Sequence, residues 1–243
     1  MRQSFSCLLI AATSLSAAAL AWQQASAPSD VPAESHHRLI FENELSRVFA
    51  VSIPPHQEIY VRHQHNFLTI TLEGGRMVMW TEGTSPQLAF PVNTGDTRFF
   101  LGGVAMGTRN DGNSEYKNIT VEFLDPRVTN YGFQYYRTGG RNWDYGSSAL
   151  APPVNAESAY VHALSLQRAV VRDVRLLPGG QLAPPDQPVQ ELLIAVTDLS
   201  LTSTTGSAVY KRTGEIAWLE GRTSGLINQG AVPARFVVLE LKR

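Results

Sequence analysis

Thr94-Gly95-Asp96, then Asn110-Asp111-Gly112, then Ile119-Thr120-Val121-Glu122-Phe123 is a succession that the chain repeats. The second copy reads Thr213-Gly214-Glu215, Asn228-Gln229-Gly230 and Phe236-Val237-Val238-Leu239-Glu240-Leu241. Asn110 to Glu122 and Asn228 to Glu240 each span twelve residues, and the glycine-to-asparagine distances are fifteen and fourteen. Turn, loop and strand signals recurring at matched spacing mark two structural copies of one unit.

Outward from these stretches the pattern stays β. Val48 to Ile53, Leu68 to Leu72, Met77 to Trp80, Ile119 to Phe123, Leu192 to Val196 and Phe236 to Leu241 are short apolar runs close to Gly, Pro, Asn or Asp. Short strands with frequent turn signals predict a sandwich or barrel. Helical periodicity is scarce, and Asn155 to Ala163 is the one stretch where a turn or two of helix is expected. The fold class is therefore all-β, with a unit at 36–126, a second at 159–243 and a connecting segment at 127–158. That segment crowds Tyr131, Phe133, Tyr135, Tyr136, Trp143 and Tyr145 beside Gly139-Gly140 and Pro152-Pro153. The alternation of Tyr131, Phe133 and Tyr135 suits a strand packed across the two units, and Arg137 and Arg141 beside these rings also suit ligand stacking.

Composition bounds the rest. The chain has 243 residues, 43% hydrophobic and 17% charged, enough apolar content for a sizeable core. Arg2 is the only charge before Asp30, and an apolar run from Cys7 to Trp22 follows it, ending near Ala25-Ser26-Ala27. This reads as a signal peptide over 1–27, which implies a secreted or periplasmic protein with no stable membrane span after processing. Cys7 is the only cysteine, so the mature part has no disulfide, thiolate nucleophile or thiolate metal site. Loss of residues 1–27 leaves a formal charge of −2, and no basic surface for nucleic acid is indicated.

Pro54-Pro55, His63-Gln64-His65 and Glu73-Gly74-Gly75, followed by Gly95-Asp96 and Asn110, resemble the two sequence motifs of the cupin superfamily. Pro178-Gly179-Gly180, Gly214-Glu215 and Asn228 mark the same places in the second half. The likeness is to the two-barrel bicupins and implies two double-stranded β-helix, or jelly-roll, barrels. Cupins commonly hold a divalent metal through the two histidines and carboxylate of the first motif and the histidine of the second. Carried over residue by residue, this implies a metal at His63 and His65, one of Fe, Mn, Ni or Zn. No carboxylate follows within Asn66 to Thr71, and Met106 stands where the later histidine is expected. His56 and Glu58 are candidate replacements. The second half has Pro185-Asp186-Gln187 near the histidine positions and Ser224 four before Asn228, so its barrel is expected to be structural or ligand-shaping.

In one unbroken strand from Tyr60 to Leu72, His63 and His65 would face away from Leu68, Ile70 and Leu72. A turn or bulge near Asn66 is needed to bring both sets to one side. His36-His37 reads as a flexible lead-in, and Asn118-Ile119-Thr120 as a glycosylation sequon inside a strand. Phosphate-loop, serine-elbow and helical metal motifs are absent.

Three functions stand. One is binding of a small polar or aromatic molecule in the first barrel, with Arg62, Trp80 and Met106 at its mouth. Another is metal-dependent oxygenase, isomerase or lyase chemistry at His63 and His65. The third is docking of barrels within the chain or in a homo-oligomer.

Overall fold

The computed structural model describes residues 29–86, 88–129, 159–222 and 224–242. The expected signal segment and residues 130–158, which hold the aromatic crowd, lie outside them. Ten strands belong to the first half: β1 (Ser29–Asp30), β2 (His37–Glu42), β3 (Ser46–Ile53), β4 (Glu58–Arg62), β5 (Phe67–Glu73), β6 (Gly75–Thr81), β7 (Phe90–Val92), β8 (Thr97–Phe100), β9 (Ala105–Asn110) and β10 (Tyr116–Phe123). They make two sheets, ordered β1-β4-β9-β6-β7 and β2-β3-β10-β5-β8. The second half carries β11 (Ala159–Leu166), β12 (Ala169–Leu176), β13 (Gln181–Leu182), β14 (Val189–Ala195), β15 (Leu199–Ser203), β16 (Ala208–Lys211), β17 (Ile216–Arg222), β18 (Leu226–Asn228) and β19 (Ala234–Leu241). Their sheets are β11-β12-β19-β14-β17 and β13-β18-β15-β16.

With β1 set aside, the sheet orders correspond strand for strand. Each half is the same two-sheet jelly roll, and β10 and β19 are the central strands of the matching sheets. The helical turn expected within Asn155 to Ala163 gives way to β11 from Ala159 onward, because pairing with β12 across Ala159↔Leu176 to Leu166↔Ala169 overrides a weak local preference.

The repeated asparagine shows what the shared spacing is for. Asn110 Nδ2 donates to the carbonyls of Ile53 (2.9 Å) and Ser114 (2.7 Å), and its Oδ1 accepts from Gly112 N (2.9 Å). Asn228 repeats the pattern with Leu176 (3.0 Å), Val232 (2.9 Å) and Gly230 (2.9 Å). Both side chains are buried, and each ties the last residue of one sheet's central strand to the end of a strand in the facing sheet. The preceding turn closes against the same residue: His56 N reaches Asn110 O (2.8 Å), as Gly179 N reaches Asn228 O (2.9 Å). The turn needs a left-handed residue, met by glycine in the second copy (φ 75°) and by His56 (φ 60°) in the first.

The largest apolar cluster lies between the barrels. Val48, Leu68, Ile70, Ile119, Val121 and Phe123 from the outer face of one five-stranded sheet meet Val171, Leu192, Ile194, Val237, Leu239 and Leu241 from the outer face of the other. Sheet-on-sheet packing of this kind removes both apolar faces from water. Phe41 stacks on Trp218 at 5.6 Å. At one margin Arg235 joins Asp173 (2.8 Å) to the carbonyls of Thr94 (2.8 Å) and Gly95 (3.2 Å).

Two predictions follow from these contacts. Asn110→Ala and Asn228→Ala should each cost roughly 2–4 kcal/mol in urea unfolding, since each leaves buried carbonyls without donors; equal and negligible losses would show that the bracket is not structural. Leu68→Ala and Leu239→Ala, on opposite sides of the shared core, should each cost about 2–5 kcal/mol and shift a single unfolding transition. Two separate transitions, only one of them shifted, would mean that the barrels do not share their core.

Candidate functional site

Alternation in β10 sends Ile119, Val121 and Phe123 to the core between the barrels, and Asn118, Thr120 and Glu122 to the inside of the first barrel. That inward row borders a cavity. The volume open to the centres of water molecules is about 50 Å³, several times what one water needs. Val51, Ile53, Ile59, Val61, Met77 and Phe100 supply apolar wall, and His37, His63, Arg98, Tyr116, Asn118 and Thr120 supply polar wall.

His63 enters because the strand breaks where parity required. β4 ends at Arg62 and β5, in the other sheet, begins at Phe67. Asn66 holds the connection: its Oδ1 accepts from Gly102 N (2.9 Å), its Nδ2 donates to Val128 O (3.0 Å) and its carbonyl accepts from Phe123 N (2.8 Å). His63 and Phe67 thus share the cavity, with rings stacked at 3.8 Å, and Phe67 stacks in turn on Phe100 at 4.9 Å. Nδ1 of His63 lies 2.9 Å from Oε1 of Glu122, and the two residues are 4% and 2% exposed. Burial pulls the His63 pKa below its ordinary value against the opposing effect of the Glu122 bond.

His37 lies edge-on to His63 at 5.6 Å. It begins β2 and is buried, so the lead-in expected at His36-His37 is ordered structure. Glu34 organises it, accepting from His37 Nδ1 (2.7 Å) and bonding His36 Nδ1 (2.6 Å), while His36 Nε2 meets Gln57 Oε1 (3.1 Å). Burial alone would raise the Glu34 pKa, but the bonds with His37 and His36 overcome it and hold it at about 2. For His36 burial acts downward, and the Glu34 and Gln57 bonds prevail and raise it. Upstream, β1 adds in parallel to β4 and Val31 packs into the apolar cluster with Phe49, Ile59 and Tyr116. On the other side of the cavity Arg98 sits 3.8 Å from Asp96 and over the Phe90 ring at 5.0 Å. Tyr116 is buried, which pushes its phenol pKa up.

Of the residues singled out from sequence, His63 and Met106 line this cavity. His65 is half-buried and outside its walls, with its carbonyl packed on Gly102, where a Cβ would fall 2.4 Å away. Arg62 is bonded to Glu82 (3.0 Å), and Trp80 covers Gly107, leaving no room there for a side chain. His56 and Glu58 are exposed. Asn118 of the sequon faces the cavity and is buried, out of reach of glycosylation machinery. His37, Arg98, Tyr116 and Glu122 are the site residues that sequence reasoning missed. The available signal was the polar row Asn118, Thr120, Glu122 inside a strand whose other face is apolar.

The donor set does not fit the metal that the fold resemblance implies. His63 and His37 are the imidazoles at the cavity, Glu122 occupies Nδ1 of His63, and among the described residues no group of three or more His, Cys, Asp or Glu is placed to hold an ion.

In the second barrel Val174, Leu176, Leu193, Leu201, Phe236 and Val238 pack together inside. Glu240, the counterpart of Glu122, is bonded to Arg172 (2.6 Å) instead of a histidine.

No protein-family model and no curated protein matches the sequence. Solved structures do. A cupin 2 conserved barrel domain protein from Leptotrichia buccalis aligns with TM-score 0.56 at 12% identity, over 85% of this chain and 88% of that one. Procruciferin, an 11S globulin from Brassica napus, gives 0.58 at 13%, over 81% and 76%. A salicylate 1,2-dioxygenase from Pseudaminobacter salicylatoxidans gives 0.56 at 10%, over 81% and 70%. The fold is that of a two-barrel cupin. At these identities the bicupin likeness speaks for architecture alone, and function rests on the side chains inside the first barrel.

The Glu34 cluster makes the anchoring of residues 31–37 pH-dependent. A carboxyl lowered from 4.5 to about 2 contributes stability that is full above pH 4.5 and lost as pH falls toward 2. An imidazole raised above 6.5 contributes stability that is full below pH 6.5 and lost as pH rises through its folded value. Amide-exchange protection of this segment, corrected for intrinsic rates, should be greatest between about pH 4.5 and 6.5 and should flatten in Glu34→Gln. A flat wild-type profile would contradict the assignment.

Proposed function

We propose that the protein binds a small, mostly apolar molecule carrying a polar group, aromatic rings included, inside its first barrel, and that it does so outside the cytoplasm. The observation that carries this reading is the cavity itself, an apolar chamber on which His37, His63, Arg98 and Tyr116 converge. The His63, Phe67 and Phe100 stack supports a flat ligand, because aromatic faces favour offset or edge contacts with another ring. A solved structure of the two-barrel salicylate 1,2-dioxygenase with gentisate gives a precedent in this architecture. Export is supported by the charge and apolar pattern of residues 1–27, and cell fractionation tests it: recovery in the cytoplasm at full length would remove that part.

A thermal-shift screen of small aromatic and aliphatic alcohols, acids and amides tests binding. A ligand at about 100 times its Kd stabilises by about 2.7 kcal/mol, a rise of several degrees in Tm at this size. Thr69→Trp, which fills the cavity from β5, should abolish the shift while keeping the fold. A wild type unmoved by every class would sink the reading.

The second reading, a metal-dependent enzyme at His63 and His65, draws its support from the resemblance of His63-Gln64-His65 to the first cupin motif. Elemental analysis of protein purified without chelator separates the two readings. Stoichiometric metal that is lost in His63→Ala and His65→Ala would support a metal site there, and the absence of stoichiometric metal would remove the enzyme reading.

A further inference from the structure

One bond in the first barrel sets more than its polarity. The carboxylate of Glu122 accepts only, so the 2.9 Å contact assigns the proton of His63 to Nδ1. His63 is almost fully buried, and burial favours the uncharged ring. A neutral imidazole protonated at Nδ1 offers a lone pair at Nε2, which makes that nitrogen an acceptor. His63 borders the cavity and Glu122 does not, so the ring edge away from Glu122 is the one a ligand meets. Its orientation is clamped, since Phe67 stacks on one face at 3.8 Å and His37 approaches at 5.6 Å.

The polar side chains near the ring have partners of their own. His37 is bonded to Glu34 (2.7 Å), Arg98 lies beside Asp96 (3.8 Å), and Arg47, opposite Glu122 in the β3 and β10 register, holds Glu42 (2.7 Å). Tyr116 is uncharged at neutral pH, its phenol pKa being pushed up by burial. Burying an ion among the apolar walls is costly, and at Nε2 a ligand that brings only acceptors would set two lone pairs facing each other.

We propose that the cavity selects a neutral molecule that donates a hydrogen bond, such as an alcohol, a phenol or an N–H group, to Nε2 of His63, and that Glu122 is the positioning residue that sets this preference. This rests on the reading that the first barrel binds a ligand. It differs from that reading in excluding acceptor-only molecules of the same size and shape.

The test uses two size-matched probe pairs on the whole protein: phenol against fluorobenzene, and isopropanol against acetone. Affinities come from NMR titration, and the protonated ring nitrogen of His63 is read from long-range proton–nitrogen spectra. The expected result is an Nδ1–H tautomer and at least a tenfold preference for the donor of each pair, as for sites built to hydrogen-bond a hydroxyl. In Glu122→Gln, whose amide can donate as well as accept, both tautomers should appear and the preference should shrink. Equal affinities within the pairs, or a wild-type proton on Nε2, would overturn the selection while leaving binding intact. Failure of all four probes to bind would instead overturn the binding reading beneath it. If Glu122→Gln does not fold, the wild-type tautomer and the probe pairs decide alone.

Discussion

Two five-stranded sheets that each turn an apolar face outward have to cover one another, and the rest of the molecule is arranged around that burial. β10 and β19 lie at the centre of these sheets and are buried on both sides. The side toward the partner barrel is aliphatic and aromatic, through Ile119, Val121, Phe123, Val237, Leu239 and Leu241. The side toward each barrel's own interior is therefore carried on a backbone that has no freedom to shift. Glu122 inherits that rigidity, and through it His63, which sits on a connection rather than on a strand. A site on central strands holds its geometry better than one on loops. Here the one loop-borne member is fixed by a strand-borne carboxylate and by the three bonds of Asn66.

The architecture was legible in the sequence because it is written in short-range signals. The spacing from Asn110 to Glu122 and from Asn228 to Glu240 reports a bracket whose bonds are the same in both halves, and the parity of Tyr60 to Leu72 required the break that the structure shows at His63 to Asn66. The cavity was much less legible. Glu122 is 59 residues from the histidine it orients, and nothing local distinguishes it from Glu240, whose partner is an arginine. His36-His37 looked like a loose lead-in because the Glu34 bonds that order it are themselves held in place by distant contacts, Val31 in the apolar cluster with Phe49, Ile59 and Tyr116 and β1 paired with β4. Arg62 and Trp80 have the chemistry for a barrel mouth, but Glu82 and Gly107 engage them elsewhere. Motif position pointed equally to His63 and His65, and the path of the backbone after the turn separated them.

The two interiors have diverged within one frame. Where the first barrel keeps imidazoles, hydroxyls and a phenol around open space, the second packs Val174, Leu176, Leu193 and Phe236 together and matches Glu240 with Arg172. The second barrel supplies the other half of the shared core.

That shared core also has a consequence in terms of symmetry. A face joining two identical chains must be self-complementary, so that every residue suits both roles at once. Here the clamp at the margin is one-sided: Arg235, seven residues after Asn228, crosses to the carbonyls of Thr94 and Gly95, whereas its counterpart seven residues after Asn110, Lys117, turns to Glu73 on its own barrel (2.7 Å). At Gly214, the counterpart of Gly95, an added Cβ would meet the Leu72 side chain rather than an arginine. Carrying both copies on one chain lifts the demand that they be alike, and that release lets one barrel keep a chamber while the other is filled.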